Sequence, residues 1–547
     1  MKWYKVCNRI SLLLHALCST AGYFLIEAIS RHSFSAAWTY MTTKPLIFAY
    51  NAALIFTTSL LVYLFRKRCF WRVLIAILWL LLGIINGVIL LNRVTPFTGP
   101  DLHLLTDGMA VLNKYLPAWG VVLALILLGL FALLLLILLI KAPKYKRKVK
   151  FRYDLLLVVV GAALFAGATQ LALEKRVLSN YFGNIAFAYE DYGYPYCLAV
   201  TIFDTGTSCP RDYSEQEITR IEKTEDNLPA TNEDSKPNII FVQLESFFDP
   251  TLVEYLNISE DPIPNFRKLM KEYTSGYYKV PAVGAGTANT EFEYLTGASM
   301  AFLPYGSIPY QQYVKKETPS MASYLSSLGY YTIAMHPYRA AGWDRNLVYP
   351  KLGFDEMHFQ EFFTDSPLVR KYVSDEGNYE KIIKLYEEKD ADTPLFLFNV
   401  TMQNHSSYSD WADYDNFSPD ITVEGSDSKL LPAYLSLIRL SDSAIQNLVS
   451  YFEAQEEPTM IVFFGDHQPA DSVVRPVWKL NGKDDADLTD EEEALRYKVP
   501  FFIWANFNIE TEKDLEISAN YLAAKTLDAA GLPKSAYDNF LSQLHTE

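Results

Sequence analysis

Cysteine and histidine, the residues that often mark zinc and redox sites, are scarce in this chain of 547 residues, which has five cysteines and eight histidines. No two cysteines form a Cys-x-x-Cys pair, which excludes the paired-thiol motif of such sites. Cys7, Cys18 and Cys69 fall in or beside apolar segments and are predicted to be inert thiols. Cys197 and Cys209 could close a short disulfide loop outside the cytoplasm, and the sequence leaves that pairing open.

Acidic residues are almost missing from the first third of the chain. Residues 1–174 contain 18 Lys and Arg but five Asp and Glu, so of the chain totals of 48 and 63 the remainder holds 30 and 58. The acidic remainder argues against nucleic acid as a partner, because phosphate binding needs clustered Lys and Arg on the binding domain. The basic first third is also strongly apolar, which is typical of a membrane domain.

Five apolar runs in that basic part predict transmembrane helices, since each is about the length needed to cross a bilayer. Cationic residues in the short loops, with seven from Lys141 to Arg152, mark the cytoplasmic side. Five crossings from an inside N-terminus then place everything after residue 174 outside. The first run lacks a small-residue cleavage site and is not expected to be a removed signal peptide. The runs lie at residues 10–30, 47–65, 71–92, 119–140 and 154–173.

Composition divides the chain into three predicted parts. Residues 1–174 form the transmembrane domain, and residues 175–235 form an extracellular connector that begins aromatic and ends polar and acidic. In residues 236–547, short apolar runs alternate with amphipathic helical stretches, which predicts an α/β domain with a mostly parallel sheet covered by helices. The acidic run at residues 483–493 is predicted to be a solvated loop.

Four of these apolar runs are each followed by ionisable residues at the point where the strand is expected to end. Ligands of open α/β sheets bind at the carboxyl edge of the strands, so these residues are predicted to meet there. The residues that follow the four runs are Glu245, His336, His405 and the pair Asp466-His467.

The stretch Val280–Tyr294 places a hydroxyl at the expected start of a helix. Gly284 and Gly286 let the backbone bend and approach a ligand, and Asn289–Tyr294 has the capping and acidic residues of a first helical turn. Unpaired N–H groups at such a start would stabilise an alkoxide forming on Thr287. Thr287 is therefore the predicted nucleophile.

Three of the strand-end residues have side chains that suit a metal ion. Glu245, Asp466 and His467 supply two carboxylates and an imidazole, and the oxygen of Thr287 completes four ligands for a divalent cation such as manganese or magnesium. Singly they have simpler interpretations, as a helix cap and a turn, but their joint occurrence at strand ends favours a metal site. A cation there would lower the pKa of the threonine hydroxyl and screen the charge of a phosphate diester.

The segment after the second of these strands adds groups suited to a phosphate ester. Arg345 has a fork of donors for non-bridging phosphate oxygens, and Trp343 offers a flat apolar wall. His336 opens the same segment. His405 is suited to position the substrate or to give a proton to the departing alkoxide. For either histidine, a buried ring bonded to the backbone is the alternative interpretation.

Five short motifs of the outer domain occur in one order along the chain: Leu244-Glu-Ser246, Gly286-Thr-Ala-Asn-Thr-Glu-Phe292, His336 with Trp343-Asp-Arg345, Asn404-His405 and Gly465-Asp-His467. Together they resemble the lipoteichoic acid synthase family, whose five-span anchor, connector and extracellular sulfatase-like domain of the alkaline phosphatase superfamily match in order and spacing. Two features depart from that family: Gln-Pro-Ala follows the Asp-His pair, and Ala-Asn follows the threonine. The Cys-x-Pro-x-Arg signature of formylglycine sulfatases is absent.

The resemblance implies a glycerol-phosphate transferase at the outer face of a bacterial cell membrane. It implies phosphatidylglycerol as the donor, a glycolipid or a growing polyglycerol-phosphate chain as the acceptor, and manganese at the active site. Thr287 would be the nucleophile, and it would join Glu245, Asp466 and His467 around the metal. The groups around the glycerol phosphate would be His336, Trp343, Arg345 and His405.

Three alternatives remain open at this point. A hydrolase of the same superfamily would pass the intermediate to water, and a phosphoethanolamine transferase would use a different headgroup. A non-enzymatic envelope protein would only bind a polyanionic polymer, which the complete set of ligand residues disfavours. The sequence does not determine the acceptor or the length of the product.

Overall fold

The chain forms two compact units. The first comprises Met1–Gly206 with Pro304–Ser307, and the second comprises Thr207–Leu303 with Ile308–Glu547. We name them the helical unit and the α/β unit. The structure, a computed structural model, describes residues 10–91, 95–102, 133, 135–145, 150–179, 185–204, 206–207, 214, 216, 219–220, 236–253, 256–483 and 488–546.

Four segments of the helical unit are long and apolar enough to cross a membrane, namely Ser11–Ser30, Pro45–Leu64, Arg68–Leu90 and Phe151–Glu174. They correspond to four of the five predicted spans. The predicted span at 119–140 lies largely outside the described residues, of which 135–140 are helical. Helix Phe151–Glu174 has no buried residue, as expected for an apolar helix that faces lipid.

Besides the helical residues at 135–140, the described part of this unit contains α1 (Ser11–Ser30), α2 (Phe34–Thr43), α3 (Pro45–Ser59), α4 (Arg68–Leu90), α5 (Phe151–Glu174), α6 (Ile185–Tyr192) and α7 (Tyr194–Phe203). A 3-10 turn, Leu60–Leu64, continues α3. The last two helices fall in the predicted connector and pack on the bundle through buried tyrosines. Cys197 of α7 is a buried free thiol, and Cys209 lies outside the described residues.

The α/β unit is built on a sheet of eight strands in the order β10-β2-β9-β8-β1-β7-β3-β4. Within the order β8-β1-β7-β3-β4 each strand is parallel to the next, and β10 is parallel to β2. Strand β9 runs antiparallel to both of its neighbours, β2 and β8. The sheet strands are β1 (Asn238–Leu244), β2 (Thr274–Lys279), β3 (Tyr331–Met335), β4 (Glu356–His358), β7 (Leu395–Val400), β8 (Thr459–Gly465), β9 (Lys498–Ala505) and β10 (Leu515–Ser518), and a separate hairpin contains β5 (Leu368–Val369) and β6 (Tyr372–Val373). The predicted α/β class with a mostly parallel sheet is confirmed.

Eleven helices belong to the described part of this unit. They are α8 (Pro264–Glu272), α9 (Thr287–Thr296), α10 (Pro309–Gln312), α11 (Met321–Ser327), α12 (Arg345–Val348), α13 (Asp375–Glu388), α14 (Leu430–Glu453), α15 (Asp471–Leu480), α16 (Asp490–Leu495), α17 (Leu522–Ala529) and α18 (Ala536–Thr546). Helix α16 corrects part of the loop predicted at 483–493, because Thr489 and Glu492 form a capping box that starts a helix there.

The middle of the sheet is covered on both faces. Every residue of β1, β7 and β8 is buried, as expected for strands written as nearly continuous apolar runs. On one face the ring of Tyr294 in α9 packs on Phe241, Phe398 and Phe464, with centroid distances of 4.9 to 5.4 Å. This packing fixes α9, and with it the side chain at its first position, against the sheet.

Candidate active site

Seven strands of the described sheet run in one direction and end at the same edge, and five of them lead into the candidate site. Strands β8, β1, β7 and β3 are parallel neighbours, and β2 runs in the same direction because both β2 and β8 are antiparallel to β9. The segments that follow these strands carry the predicted site residues. The predicted convergence at a carboxyl edge is therefore present in the fold, and β2 adds the loop that leads to α9.

Glu245, Asp466 and His467 form a compact buried cluster at this edge. One ligand atom from each lies within 4.8 Å of the others. His467 Nε2 is 3.3 Å from Asp466 Oδ2 and 3.9 Å from Glu245 Oε1. Two carboxylates and one imidazole at these distances are a donor set for a divalent cation.

Unpaired atoms in this cluster show that a cation fits it. Asp466 Oδ2 and His467 Nε2 are buried and have no hydrogen-bond partner, although buried polar atoms are nearly always paired. The other atom of each group is already engaged, since Asp466 Oδ1 accepts from the Ser246 N–H at 2.8 Å and His467 Nδ1 lies 2.9 Å from Gln468 O. A carbonyl oxygen only accepts, so Nδ1 carries the proton and Nε2 presents its lone pair to the cluster.

Thr287 is the first residue of α9 and lies beside this cluster. Its hydroxyl oxygen is 3.4 Å from Glu245 Oε2. Gly286 precedes it with φ of 100°, a conformation that favours glycine. The helix is fixed to the strand edge by the Thr290 hydroxyl, which donates to Asp466 O at 2.8 Å. Helix α9 begins two residues earlier than the sequence predicted, which places the Thr287 hydroxyl directly at its positive end.

One carbonyl connects the loop before Thr287 to the imidazole of His467. Gln468 O accepts from the Gly284 N–H at 2.9 Å as well as from His467. The buried guanidinium of Arg496 donates to Gln468 Oε1 at 3.3 Å and to Pro469 O at 3.2 Å. Arg496 therefore holds the Gln-Pro-Ala segment, which differs from the lipoteichoic acid synthase family, in place. The carbonyl of Gln468 in this segment orients His467.

Burial dominates the electrostatics of the cluster. It raises the pKa of the Asp466 carboxyl to about 7. Burial, followed by the charge of Asp466, raises the pKa of Glu245, and burial lowers the pKa of His467. These shifts disfavour two bare carboxylates in a dry site and favour a neutral imidazole. A divalent cation would bind best when both carboxylates are charged and the histidine is neutral, so its binding would stabilise that protonation state.

His336 and Arg345 lie near one another after β3. His336 is buried and its Nδ1 donates to Val400 O at 3.1 Å. Its pKa is held well below the usual range by burial and then by the charge of Arg345. The neutral ring thus keeps Nε2 as an acceptor.

Arg345 is not the free fork that the sequence predicted. Its Nε lies 3.2 and 3.3 Å from the two carboxylate oxygens of Glu291, and its Nη2 also donates to Glu291. The Tyr349 hydroxyl donates to the same carboxylate at 2.9 Å. Among the described residues, Nη1 is the guanidinium nitrogen that makes no hydrogen bond with protein, so one donor edge of Arg345 remains for a ligand.

A strained turn leads into Arg345. Trp343 and Asp344 have φ of 56° and 63°, which is unusual for two consecutive non-glycine residues. Trp343 is half-buried and packs against the core of the unit. Such strain is often kept at ligand sites because a particular side-chain position requires it.

His405 is half-buried and lies close enough to Glu245, His336 and His467 to influence their pKa values. Its Nδ1 lies 2.7 Å from Ser406 O. The charge of His405 lowers the pKa of Glu245, but by less than burial and the charge of Asp466 raise it. It also lowers the pKa values of His336 and His467, in both cases as a smaller influence than burial. The structure therefore brings all the histidines predicted for the site to one region.

The sequence did not reveal the partners that hold these groups. Glu291 is fully buried. The sequence showed only that it lies four positions after Thr287, and therefore on the same face of the helix. No local pattern announced its pairing with an arginine 54 positions away. Arg496, which donates to Gln468 and Pro469 after His467, likewise gave no signal, and neither did Arg370, which donates to the backbone carbonyls of Gln403 and His405.

Comparisons with known proteins bear on the family. The Sulfatase family matches residues 237–532. The chain is 31% identical over 369 residues to a Rhizobium meliloti protein named for cyclic beta-1,2-glucan modification, covering 65% of this chain and 55% of that protein. It is 23% identical over 400 residues to lipoteichoic acid synthase 1 of Bacillus subtilis, covering 68% and 59%. The chain spans about half the length of the curated relatives it matches.

A solved structure shows the same fold. The phosphoglycerol transferase GacH of Streptococcus pyogenes, in complex with sn-glycerol-1-phosphate, is 23% identical and superposes with a TM-score of 0.53, covering 62% of this chain and 88% of that one. The family match covers more than half of the chain. The chain therefore belongs to the Sulfatase family, and it resembles the lipoteichoic acid synthases, as its motifs indicated.

Proposed function

We propose that this protein is a membrane-bound phosphoglycerol transferase that takes glycerol phosphate from phosphatidylglycerol and releases diacylglycerol. One observation carries the proposal: the Thr287 hydroxyl, at the start of a helix, lies 3.4 Å from Glu245 and beside the unpaired atoms of Asp466 and His467. A nucleophile, an anion-stabilising helix start and a cation site in one place suit attack on a phosphodiester.

The proposed ligands are Glu245, Asp466, His467 and the Thr287 oxygen. A divalent ion held by them, Mn²⁺ or alternatively Mg²⁺, would lower the pKa of the threonine hydroxyl and neutralise part of the charge on the phosphate. Because the His467 proton sits on Nδ1, bonded to Gln468 O, its Nε2 is oriented to coordinate without any rearrangement.

The transfer we propose has two steps. In the first, Thr287 Oγ1 bonds to phosphorus while the bond from phosphorus to the diacylglycerol oxygen breaks, and that oxygen takes up a proton. In the second, the oxygen of an acceptor hydroxyl bonds to the phosphorus of the phospho-threonine intermediate, which still carries the glycerol. The bond from phosphorus to Thr287 Oγ1 breaks, and that oxygen takes up the proton that the acceptor hydroxyl loses. The N–H groups at the start of α9 stabilise negative charge on the phosphate in both steps.

Four further residues are proposed to surround the glycerol phosphate. Arg345 Nη1 donates to a non-bridging phosphate oxygen, while Glu291 keeps the rest of the guanidinium in place. His336, neutral and protonated on Nδ1, accepts from a glycerol hydroxyl through Nε2. Trp343 provides the apolar wall, and His405 contacts the substrate or protonates the leaving oxygen.

Two acceptor classes are compatible with this chemistry. The first is a glycolipid or a growing polyglycerol-phosphate chain, as the resemblance to the synthases suggests. The second is a hydroxyl of an envelope glucan, which is favoured by the 31% identity to a protein named for glucan modification. In either case we propose that residues 236–547 lie outside the cytoplasm, joined through the connector 175–235 to the membrane domain 1–174.

The test uses the full-length protein in liposomes with phosphatidylglycerol labelled in its headgroup. Diacylglycerol release and labelled product are measured with a glycolipid, with a β-1,2-glucan oligosaccharide and without acceptor. Thr287→Ala is expected to lower diacylglycerol release by at least about 1,000-fold. Thr296→Ala, a matched change at the other end of the same helix, is expected to retain activity within about two-fold.

Three outcomes would contradict the proposal. Undiminished release by the Thr287 variant would reject the nucleophile. Labelled free glycerol phosphate as the product with every acceptor would indicate a hydrolase. Turnover of phosphatidylethanolamine in preference to phosphatidylglycerol would indicate a phosphoethanolamine transferase. Product on the glycolipid or on the glucan would decide between the two acceptor classes.

A further inference from the structure

A fully buried arginine holds the loop that carries His405. Arg370 stands at the turn between β5 and β6, and its side chain has 0% exposure. Its Nη2 donates to Gln403 O and to His405 O, both at 2.8 Å, and its Nη1 donates to Ser407 O at 2.8 Å. One guanidinium therefore binds the backbone before, at and after His405.

The same hairpin contacts the imidazole itself. The Tyr372 hydroxyl lies 3.2 Å from His405 Nδ1 and donates to Ser406 O at 3.0 Å, while Nδ1 lies 2.7 Å from that carbonyl. Because the carbonyl can only accept, Nδ1 carries the proton. The hairpin thus fixes the ring by its Nδ1 side and leaves Nε2 as the nitrogen able to reach a substrate.

Burying the Arg370 guanidinium in this strained turn costs folding free energy, so its bonds are unlike those expected from selection for stability alone. A buried guanidinium loses its hydration, and Arg370 also has φ of 53°, a region that few non-glycine residues occupy. Among the residues that the structure describes, its carboxylate partner is Asp410, 3.2 Å from Nη1. Most of its donors meet carbonyls of the His405 loop, so the stabilisation it supplies is concentrated on that loop.

We propose that Arg370, together with Tyr372, is a positioning residue that orients His405 for the transfer reaction. The inference rests on the proposed function, in which His405 acts on the bound phosphoglycerol. It predicts that loss of Arg370 harms catalysis through His405 and through no other group of the site, since Arg370 has no hydrogen bond to Glu245, Thr287 or the residues that follow β8.

A double-mutant cycle tests this directly in the liposome assay. Arg370→Gln and His405→Ala are compared with the double variant, and kcat and KM for diacylglycerol release are measured separately. Arg370→Gln is expected to lower kcat by about 10- to 100-fold, because small misplacements of a catalytic group have effects of that size. The double variant is expected to equal His405→Ala within about two-fold. Losses that multiply in the double variant would overturn the proposal.

Lys371 is the matched control. Its Nζ binds the other oxygen of Asp410 at 2.7 Å but makes no bond to the His405 loop. Lys371→Gln removes a cation from the same hairpin and the same carboxylate, and it is expected to keep kcat within about two-fold. An equal loss from Lys371→Gln would assign the effect to charge or hairpin stability and would contradict the proposal.

A second variant and a second measurement keep the test valid if Arg370→Gln fails to fold. Tyr372→Phe removes only the hydroxyl at Nδ1 and is expected to lower kcat about three- to ten-fold, without further loss in the His405→Ala background. In ¹⁵N-histidine spectra, the Nδ1-protonated tautomer of His405 is expected in the native protein and a tautomer mixture in the variants. An unchanged tautomer would overturn the positioning role even if no phosphatidylglycerol is turned over, which separates it from failure of the proposed function.

Discussion

Two buried polar side chains of the helical unit, Glu27 and Asn51, differ from the buried cluster at the strand edge of the α/β unit in how completely their atoms are hydrogen-bonded. In the helical unit, fully buried Glu27 accepts from Arg31 Nε at 2.8 Å and from the Tyr194 N–H at 3.1 Å. Asn51 accepts from the Tyr196 N–H at 2.9 Å and donates to Tyr192 O at 2.7 Å. Both oxygens of the carboxylate and both ends of the amide are used. These groups join α1 and α3 to α7 and to the end of α6.

At the strand edge of the α/β unit, the equally buried carboxylate of Asp466 and the imidazole of His467 each keep one unpaired atom. The comparison teaches that burial alone does not identify a functional group. A polar side chain whose bonds are all made within the protein has a structural role, whereas converging ligand-type atoms without protein partners indicate a ligand site. Unpaired neutral amides also occur, as at Asn399, but a lone amide does not make a cation site.

The comparison is tested most directly by neutralising two buried carboxylates of the α/β unit, one with an unpaired oxygen and one with both oxygens hydrogen-bonded. Asp466→Asn is expected to weaken Mn²⁺ binding at least about 100-fold and to lower turnover by about 1,000-fold, since it removes a proposed ligand. Asp442 is the control, because both its oxygens accept from the Asn265 and Phe266 N–H groups at 3.1 and 2.7 Å.

Asp442→Asn is expected to lower the unfolding midpoint while Mn²⁺ affinity stays within about two-fold. Calorimetric titration and thermal unfolding of the same samples measure both quantities. Equal loss of metal affinity in the two variants would show that hydrogen-bond completeness does not separate structural from functional carboxylates.

Glu291 is an intermediate case, since it pairs fully with Arg345 and Tyr349 while leaving Arg345 Nη1 unbonded. Glu291→Gln keeps the shape but removes the charge that orients the guanidinium. We expect kcat/KM for phosphatidylglycerol to fall about 10- to 100-fold, as for loss of a hydrogen bond to a charged group, with Mn²⁺ affinity unchanged. Steady-state kinetics measures this. An unchanged kcat/KM would place the pair among the structural groups.

The unpaired cluster also predicts how pH and metal combine. In the metal-free protein the pKa of Asp466 is raised by burial to about 7, above its value of roughly 3.9 in an unfolded chain. Between these values the folded state holds a proton that the unfolded state has lost, so stability of the metal-free protein falls as pH rises from about 4 to 7. Glu245, also raised, adds to the same trend.

Metal binding requires the deprotonated carboxylates, so it restores most stability above that window. Removing metal with a chelator is therefore expected to lower the Tm of the α/β unit by several degrees more at pH 8 than at pH 5.5. Differential scanning fluorimetry measures the two shifts, and Asp466→Asn should largely abolish their difference. Equal shifts at both pH values would contradict the assignment of the cluster as a metal site.

Much of this edge was readable from the sequence because buried parallel strands are written as continuous apolar runs. Glu245, His336 and Asp466 directly follow the ends of β1, β3 and β8, as expected from the apolar runs, whereas His405 lies five residues after the end of β7. The glycines before Thr287, and the capping and acidic residues after it, placed this residue near a helix start. The capping box at Thr489 was also written in the sequence as Thr-x-x-Glu, although the acidic run around it was interpreted as a loop.

The supporting contacts were not readable, for a physical reason. Strand β2 is short and mixed in polarity, and the β5–β6 hairpin has two residues per strand, so neither produces a periodic signal. The bonds from Arg370 to the His405 loop and from Arg345 to Glu291 join residues 33 to 54 positions apart. Such pairings are decided by tertiary packing, which a single sequence does not display.

The smallest expected effect on activity comes from the paired group in the helical unit. Glu27→Gln replaces an acceptor of the Arg31 guanidinium by an amide that can donate, so it is expected to destabilise the helical unit by about 1.5 to 3 kcal/mol. Turnover of phosphatidylglycerol should remain within about two-fold at temperatures where the protein stays folded.

Glu174→Gln, at the exposed end of α5, is the matched control and should change neither quantity. Stability follows from unfolding in detergent, and turnover from the liposome assay. A large loss of kcat in Glu27→Gln with unchanged stability would mean that a fully hydrogen-bonded group can still be functional, and the contrast between the two units would fail.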